Sequence, residues 1–251
     1  MLKRLGASLL GLLLPPRCQA CQADLHLSNM MGICASCEAR IRWIASPHCQ
    51  TCGRTLTYTT EGRCELCRSS GETFHFDRAY ACAAYEGPLR DILRRYKFGR
   101  KKALERFIGS RLVDFATQHF KHSDFDAVMA VPLDPARQFA RGFNQSLQLS
   151  RMISSAMKLK DISSLAARKK SASCQSLLPK RERKINIQNM FYLRNSDAFK
   201  KFKSILLVDD ILTSGQTLSE CARVLKEAGA YCVTVLAFAR DRKSTRLNSS
   251  H

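Results

Sequence analysis

Acidic side chains are scarce in this chain. Its 251 residues hold 21 Asp and Glu against 41 Lys and Arg, a formal charge of +20. That imbalance favours a polyanionic partner or an anionic substrate. Long apolar runs are also missing. The longest early one, Leu9 to Leu14, is far short of the roughly 20 residues a membrane helix needs, which excludes a membrane span there. Two nucleotide-binding signatures are absent as well. No GxxxxGK[ST] loop and no GxGxxG turn occurs, so neither a Walker A site nor a dinucleotide fingerprint is expected. Apolar residues are not lacking: at 45% of the chain they exclude general disorder.

Lys3 and Arg4 followed by Leu5 to Leu14 imitate a secretory signal, but Pro15, Pro16 and Arg17 follow with no small-residue cleavage site. The reading preferred is a short helix within residues 1–17, ended by the double proline. Reduced CxxC pairs suit a reducing compartment, so a cytoplasmic location is expected. At the other end, 241–251 (DRKSTRLNSSH) has no apolar periodicity and resembles a translated sequencing adapter. A non-native tail is expected over 241–251.

Cysteine is the abundant exception. Eight of the twelve form four CxxC pairs: Cys18/Cys21, Cys34/Cys37, Cys49/Cys52 and Cys64/Cys67. Each pair presents two thiolates from one tight turn, and pairs 11–12 residues apart suit a tetrahedral Cys₄ zinc site. Gly32, Gly53 and Gly62 lie where knuckle turns need positive φ. Two closed, structural zinc ions are expected in a module spanning 18–72, in preference to iron–sulfur clusters or disulfides. Sequential ribbons and a cross-braced pairing both fit the spacing. His26, His48 and His75 are further potential ligands that eight cysteines make unnecessary.

Charge divides the chain. Residues 1–79 carry nine basic and six acidic side chains, residues 137–203 sixteen and three. A boundary near Gly71 to Asp77 fits this shift. Beyond it, apolar strands at Ala79–Tyr85, Asp126–Val131, Ser204–Val208 and Tyr231–Phe238 alternate with helices at Leu89–Tyr96, Leu104–His119, Asn144–Met157 and Thr217–Ala228. A further strand is expected within Ile187–Leu193, and 160–184 reads as a polar, mobile loop. The alternation indicates an α/β domain over 73–240 with a mainly parallel sheet.

The chemistry is concentrated in SILLVDDILTSGQT, Ser204 to Thr217. Two carboxylates end an apolar strand, and a loop of hydroxyl and glycine residues leads into a helix. Ligands bind at this point in open α/β sheets. Backbone N–H groups and the Thr213, Ser214 and Thr217 hydroxyls can close on a phosphate at the helix start. Asp209 and Asp210 can accept from sugar hydroxyls or organise Mg²⁺.

This segment resembles the PRPP-binding motif of type I phosphoribosyltransferases. The resemblance implies that Asp209 and Asp210 contact the ribose hydroxyls. It also implies that Thr213, Ser214, Gly215, Gln216 and Thr217 hold the 5′-phosphate. With VPLDPARQFARGFNQS (131–146), QSLLPKRERKINIQNMF (175–191), EGPLRDILRRYKFGR (86–100) and the four CxxC pairs, the chain resembles the ComF/GntX family of competence-associated proteins. That resemblance implies a type I phosphoribosyltransferase-like domain behind a double zinc ribbon, and a role in DNA uptake, natural transformation or use of DNA as a nutrient. It also implies PRPP with Mg²⁺ as ligand, an unnamed acceptor, and a competence-machinery partner such as a DNA helicase.

Pyrophosphate departure develops negative charge that cations stabilise. Arg137 and Arg141 are the expected catalytic cations beside Asp209 and Asp210, with Lys97, Arg100 or an Arg168 to Arg183 segment closing over them. The alternative is a catalytically silent accessory protein of competence that binds single-stranded DNA along 90–102 and 158–203 and uses the PRPP fold as a ligand sensor or scaffold. Tyr96, Phe98, Phe143 and Phe191 would then be stacking residues, though core packing suits most of them better.

Overall fold

The computed structural model describes residues 15–29, 31–44, 47–56, 62–69, 73–99, 101–169 and 189–241. The expected N-terminal helix, apart from its proline end, lies outside these residues. So do Arg100, Gln175, Leu178, Arg183, Asn186 and the tail beyond Asp241.

The elements run α1 (Ala35–Ala39), α2 (Glu65–Ser69), β1 (Arg78–Ala84), α3 (Gly87–Gly99), α4 (Lys102–His119), β2 (Ala127–Ala130), α5 (Pro135–Arg141) and α6 (Gln145–Met157). They continue as β3 (Lys160–Asp161), β4 (Ala166–Arg168), β5 (Phe191–Leu193), α7 (Ser196–Phe199), β6 (Ser204–Leu212), α8 (Gln216–Glu227) and β7 (Cys232–Arg240). Five strands form one sheet in the order β1-β7-β6-β2-β3, with every pairing parallel. β4 and β5 pair antiparallel as a separate ribbon.

Both faces of the sheet are covered, which is why its strands read as unbroken apolar runs. Along β6 the two-residue period sends Leu206 and Val208 into a core shared with α3, α4 and α6. Ile205 and Leu207 pack instead with Leu218, Cys221, Ala222 and Leu225 of α8. The α4 and α6 helices approach closely at Gly109, where a Cβ would lie 2.2 Å from Met152 Sδ. Asp126 fixes the start of β6 by accepting from the Lys203 and Ser204 N–H groups at 2.7 and 2.9 Å.

The cysteine module is built into this frame. Cys18, Leu25, Ile33, Cys37 and Ile41 belong to the same core as α3 and α4. The Ile44 N–H donates to Cys82 O at 2.8 Å, and Ala84 N–H donates to Arg42 O at 2.9 Å. Arg111 of α4 pairs with Glu38 of α1.

Three expectations change. The 160–184 segment is ordered at least to residue 169, carrying β3 and β4. Two- and three-residue strands are too short to show a period of two. The β6 strand runs four residues past Val208, so both aspartates sit inside the strand. Tyr96 and Phe191 are 1% and 4% exposed, which removes them as stacking residues.

Candidate functional site

The site lies at the C-terminal ends of β6 and β2. The β6 strand delivers Asp209 and Asp210, and a short turn through Thr213 and Ser214 leads to Gly215 at φ 86°. Gly215 caps α8 without a side chain of its own, and Ser214 Oγ accepts from the Gln216 N–H at 3.4 Å. Thr213 and Ser214 are exposed, while Gln216 and Thr217 are half-buried. The first-turn N–H groups and the positive end of the helix dipole favour an anion there.

From β2 the chain enters α5, which the sequence reading did not recognise as a helix. Asp134 caps it through Ala136 N–H at 2.9 Å and Pro135 stands in its first turn. An Asp-Pro pair is a recognisable start signal. Gly142, at φ 72°, ends α5, and Asn144 caps α6 by accepting from Ser146 N–H at 3.1 Å. Arg137 and Arg141, both in α5, line the same cavity as the aspartates.

Lys97, Arg137, Arg141, Arg168, Asp209, Asp210, Thr213, Gly215 and Thr217 all line one cavity of about 180 Å³. The structure thus gathers both expected arginines, both aspartates and three of the five loop residues. Ser214 and Gln216 complete the loop without lining the cavity. Arg137 is exposed and Arg141 half-buried. Arg141 lies over the Phe98 ring at 5.5 Å and donates to Gln145 Oε1 at 3.2 Å. Gln145 in turn donates to Lys97 O at 3.1 Å, joining α3 to α6 beneath the cavity.

The aspartates are unequal. Asp210 is 7% exposed and paired with Lys97 Nζ at 3.2 Å. Asp209 accepts from Ser146 Oγ at 2.7 Å and from the Asp210 N–H at 2.9 Å. Burial, then the neighbouring Asp210 charge, push the Asp209 carboxyl up to about 7 against the opposing pull of Ser146 and Lys97. Ser146 was quoted in its motif but given no role; its hydroxyl is what orients Asp209. Arg168 faces the same cavity, its Nε buried and without a hydrogen-bond partner among the described residues.

The cysteines settle into two sequential sets, Cys18/Cys21/Cys34/Cys37 and Cys49/Cys52/Cys64/Cys67, which removes the cross-braced alternative. Within each set the ligand atoms lie within 4.8 Å of one another. Cys21–Cys34 and Cys52–Cys64 sulfurs are 3.7 Å apart, close to the roughly 3.8 Å edge of a tetrahedron with 2.3 Å Zn–S bonds. Backbone N–H groups point at sulfur, as from Cys34 to Cys18 Sγ at 3.4 Å. Burial opposes ionisation of Cys18, yet such donors bring its thiol down to about 6. The donor set fits structural zinc with no coordination position left for chemistry.

Comparison with known proteins agrees with both parts. Residues 9–72 match the double zinc ribbon domain and residues 128–251 the phosphoribosyl transferase domain. The chain is related to the ComF family of competence-associated proteins. Competence protein F of Haemophilus influenzae is 29% identical over 228 residues, spanning 89% of this chain and 96% of its own. DNA utilization protein YhgH of Escherichia coli is 29% identical over 233 residues, spanning 91% and 99%. A solved hypoxanthine phosphoribosyl transferase of Trypanosoma cruzi overlaps 58% of this ComF relative and 67% of its own chain, at 14% identity and a TM-score of 0.33. That likeness is too slight to build on. Among the described residues no helix is long and apolar enough to cross a membrane.

Proposed function

We propose that this ComF relative binds PRPP with Mg²⁺ and transfers its phosphoribosyl group to an acceptor during uptake or use of DNA, in the cytoplasm. One observation carries the reading: an acidic pair near the end of β6 and a glycine-started helix line one cavity ringed by four cations. Asp209 and Asp210 would hold the ribose hydroxyls. The loop from Thr213 to Thr217 would hold the 5′-phosphate through hydroxyls and N–H groups. Mg²⁺, when bound, supplies charge neutralisation at the pyrophosphate. In the reaction the C1–O bond to pyrophosphate breaks with its electron pair leaving on oxygen. The acceptor's lone pair forms the new C1 bond, and the acceptor gives up a proton. Arg137 and Arg141 stabilise the charge gathering on the leaving group. Fixed placement of donor and acceptor supplies the rest.

The test is calorimetric titration of Mg²⁺ and PRPP into zinc-loaded protein, beside the Asp209→Ala/Asp210→Ala variant. Binding that disappears in the variant supports the site. Absence of binding by folded, zinc-replete protein refutes it.

A second reading, single-stranded DNA binding, has its own support. Phe98 and Phe139 are 77% and 91% exposed, and Arg141 lies over Phe98, an arrangement on which bases stack. Salt-dependent binding that survives the aspartate substitutions but is lost in Phe98→Ala/Phe139→Ala would favour it. The relatives' names motivate both DNA and competence-machinery proteins, a helicase included, as partners to screen.

A further inference from the structure

Arg240 is the last residue of β7, 3% exposed, and its side chain meets backbone carbonyls from two distant parts of the chain. Nε donates to Cys52 O at 2.7 Å, inside the knuckle of the second cysteine set. Nη1 donates to Leu212 O at 2.9 Å, to Thr213 O, and to Asp241 O at 2.8 Å. One guanidinium thus bridges a zinc knuckle and the turn between the aspartates and α8. The knuckle also touches β1. Gln50 O accepts from Ala79 N–H at 2.9 Å, and Gly53, at φ 68°, lies so close that a Cβ there would be 3.2 Å from Ala79 O. A second contact follows the ribbon's end. The Phe74 ring packs on Gly215, and His75 N–H donates to Ser219 Oγ at 3.0 Å.

We infer that Arg240 is a positioning residue coupling the second zinc ribbon to the phosphate loop, so that the metal state of that ribbon sets the loop's order and its affinity for a phosphorylated ligand. Without four sulfurs drawn onto one ion, the Cys52 carbonyl loses its fixed position. The guanidinium then loses the anchor that aims it at Leu212 and Thr213. A rigid planar fork is needed because the acceptors lie on two sides; an ammonium keeps the charge but not the span. The loss of loop order follows from the hydrogen bonds alone. The effect on ligand affinity rests on the function proposed above.

Amide hydrogen exchange over residues 212–219 of the full-length protein tests the coupling, with zinc content measured alongside. R240K should retain two zinc ions per chain yet exchange faster in this loop, on the order of tenfold, inside the range usual for coupled sites. C64S/C67S should lose one zinc and speed the same amides, and adding R240K to it should change little more. C21S, in the first ribbon, should leave the loop as in wild type. Wild-type exchange in R240K, or additive effects of R240K and C64S/C67S, would overturn the coupling; if C64S/C67S does not fold, R240K decides alone. Mg²⁺ and PRPP are then titrated into wild type and R240K. Binding by wild type that weakens in R240K extends the coupling to the ligand, and equal affinity denies that extension. No binding by wild type refutes the proposed function while exchange still judges the coupling.

Discussion

Substituting Asp209 by Asn separates the electrostatics of the site from its shape. The amide oxygen still accepts from Ser146 Oγ and from the Asp210 N–H, the two bonds that orient the carboxylate. What disappears is a charge held beside Asp210 in a half-buried position. The Asp209 carboxyl is raised from 3.8 to about 7. Between those values the folded protein holds a proton that the unfolded chain has released. Stability therefore falls as pH rises through this window, and the loss is complete above about 7. At 1.36 kcal/mol per pKa unit the shift corresponds to at most about 4 kcal/mol. Relaxation around a group that is not wholly buried brings the expected loss nearer 2 kcal/mol.

Urea unfolding of zinc-loaded protein from pH 5 to pH 8.5 reads this directly. Histidines and zinc thiolates contribute alike to both proteins, so the difference between them isolates Asp209. Asp209→Asn should gain on wild type as pH rises, reaching about 2 kcal/mol by pH 8, while losing affinity for Mg²⁺ and PRPP. In wild type, ligand affinity should rise through pH 7 as the carboxylate forms. Parallel stability curves would show that Asp209 ionises as an ordinary carboxylate and would refute the argument.

Gly215→Ala places a Cβ at φ 86° and 2.9 Å from Phe74 Cε1; a loss of about 1–3 kcal/mol in stability is expected from unfolding midpoints, with weaker phosphate binding by titration. Zinc chelation should lower a single melting transition by scanning calorimetry, because Cys18, Ile33, Cys37 and Ile41 share the core of α3 and α4; an early ribbon transition followed by an unchanged main one would contradict that shared core.

Legibility in the sequence followed the length scale of the interactions. SILLV is a buried parallel strand by composition alone, and VDDILTSGQT carries its site as one continuous segment. The zinc sets were visible because CxxC spacing is local, though the pairing needed coordinates. Arg240 was invisible. Its partners Cys52 and Leu212 lie 188 and 28 positions away. Ser146 was hidden for a related reason, since its partner Asp209 is 63 positions distant. The β3 and β4 strands were missed because pairing to neighbours, rather than any periodicity of their own, defines them. Tyr96 and Phe191 look alike as exposed or buried aromatics until packing decides.

Arg168 offers the sharpest distinction between a residue kept for folding and one kept for a ligand. It closes the β4 strand, stacks on Phe191 at 5.6 Å and faces the cavity. Burial, then repulsion from Arg137, pull its guanidinium below the ordinary arginine value, and its Nε is buried without an acceptor among the described residues. An unsatisfied buried donor costs about 1–3 kcal/mol, a cost with no return among the described residues. Arg168→Met keeps the contact with Phe191 and removes the donor. The ligand-free variant should therefore unfold at higher urea, by about 1 kcal/mol, while its affinity for Mg²⁺ and PRPP falls at least about tenfold, as losing a charge-assisted bond requires. A variant that is both less stable and unchanged in binding would make Arg168 a structural residue, and the fourth cation of the cavity would have to be struck from the site.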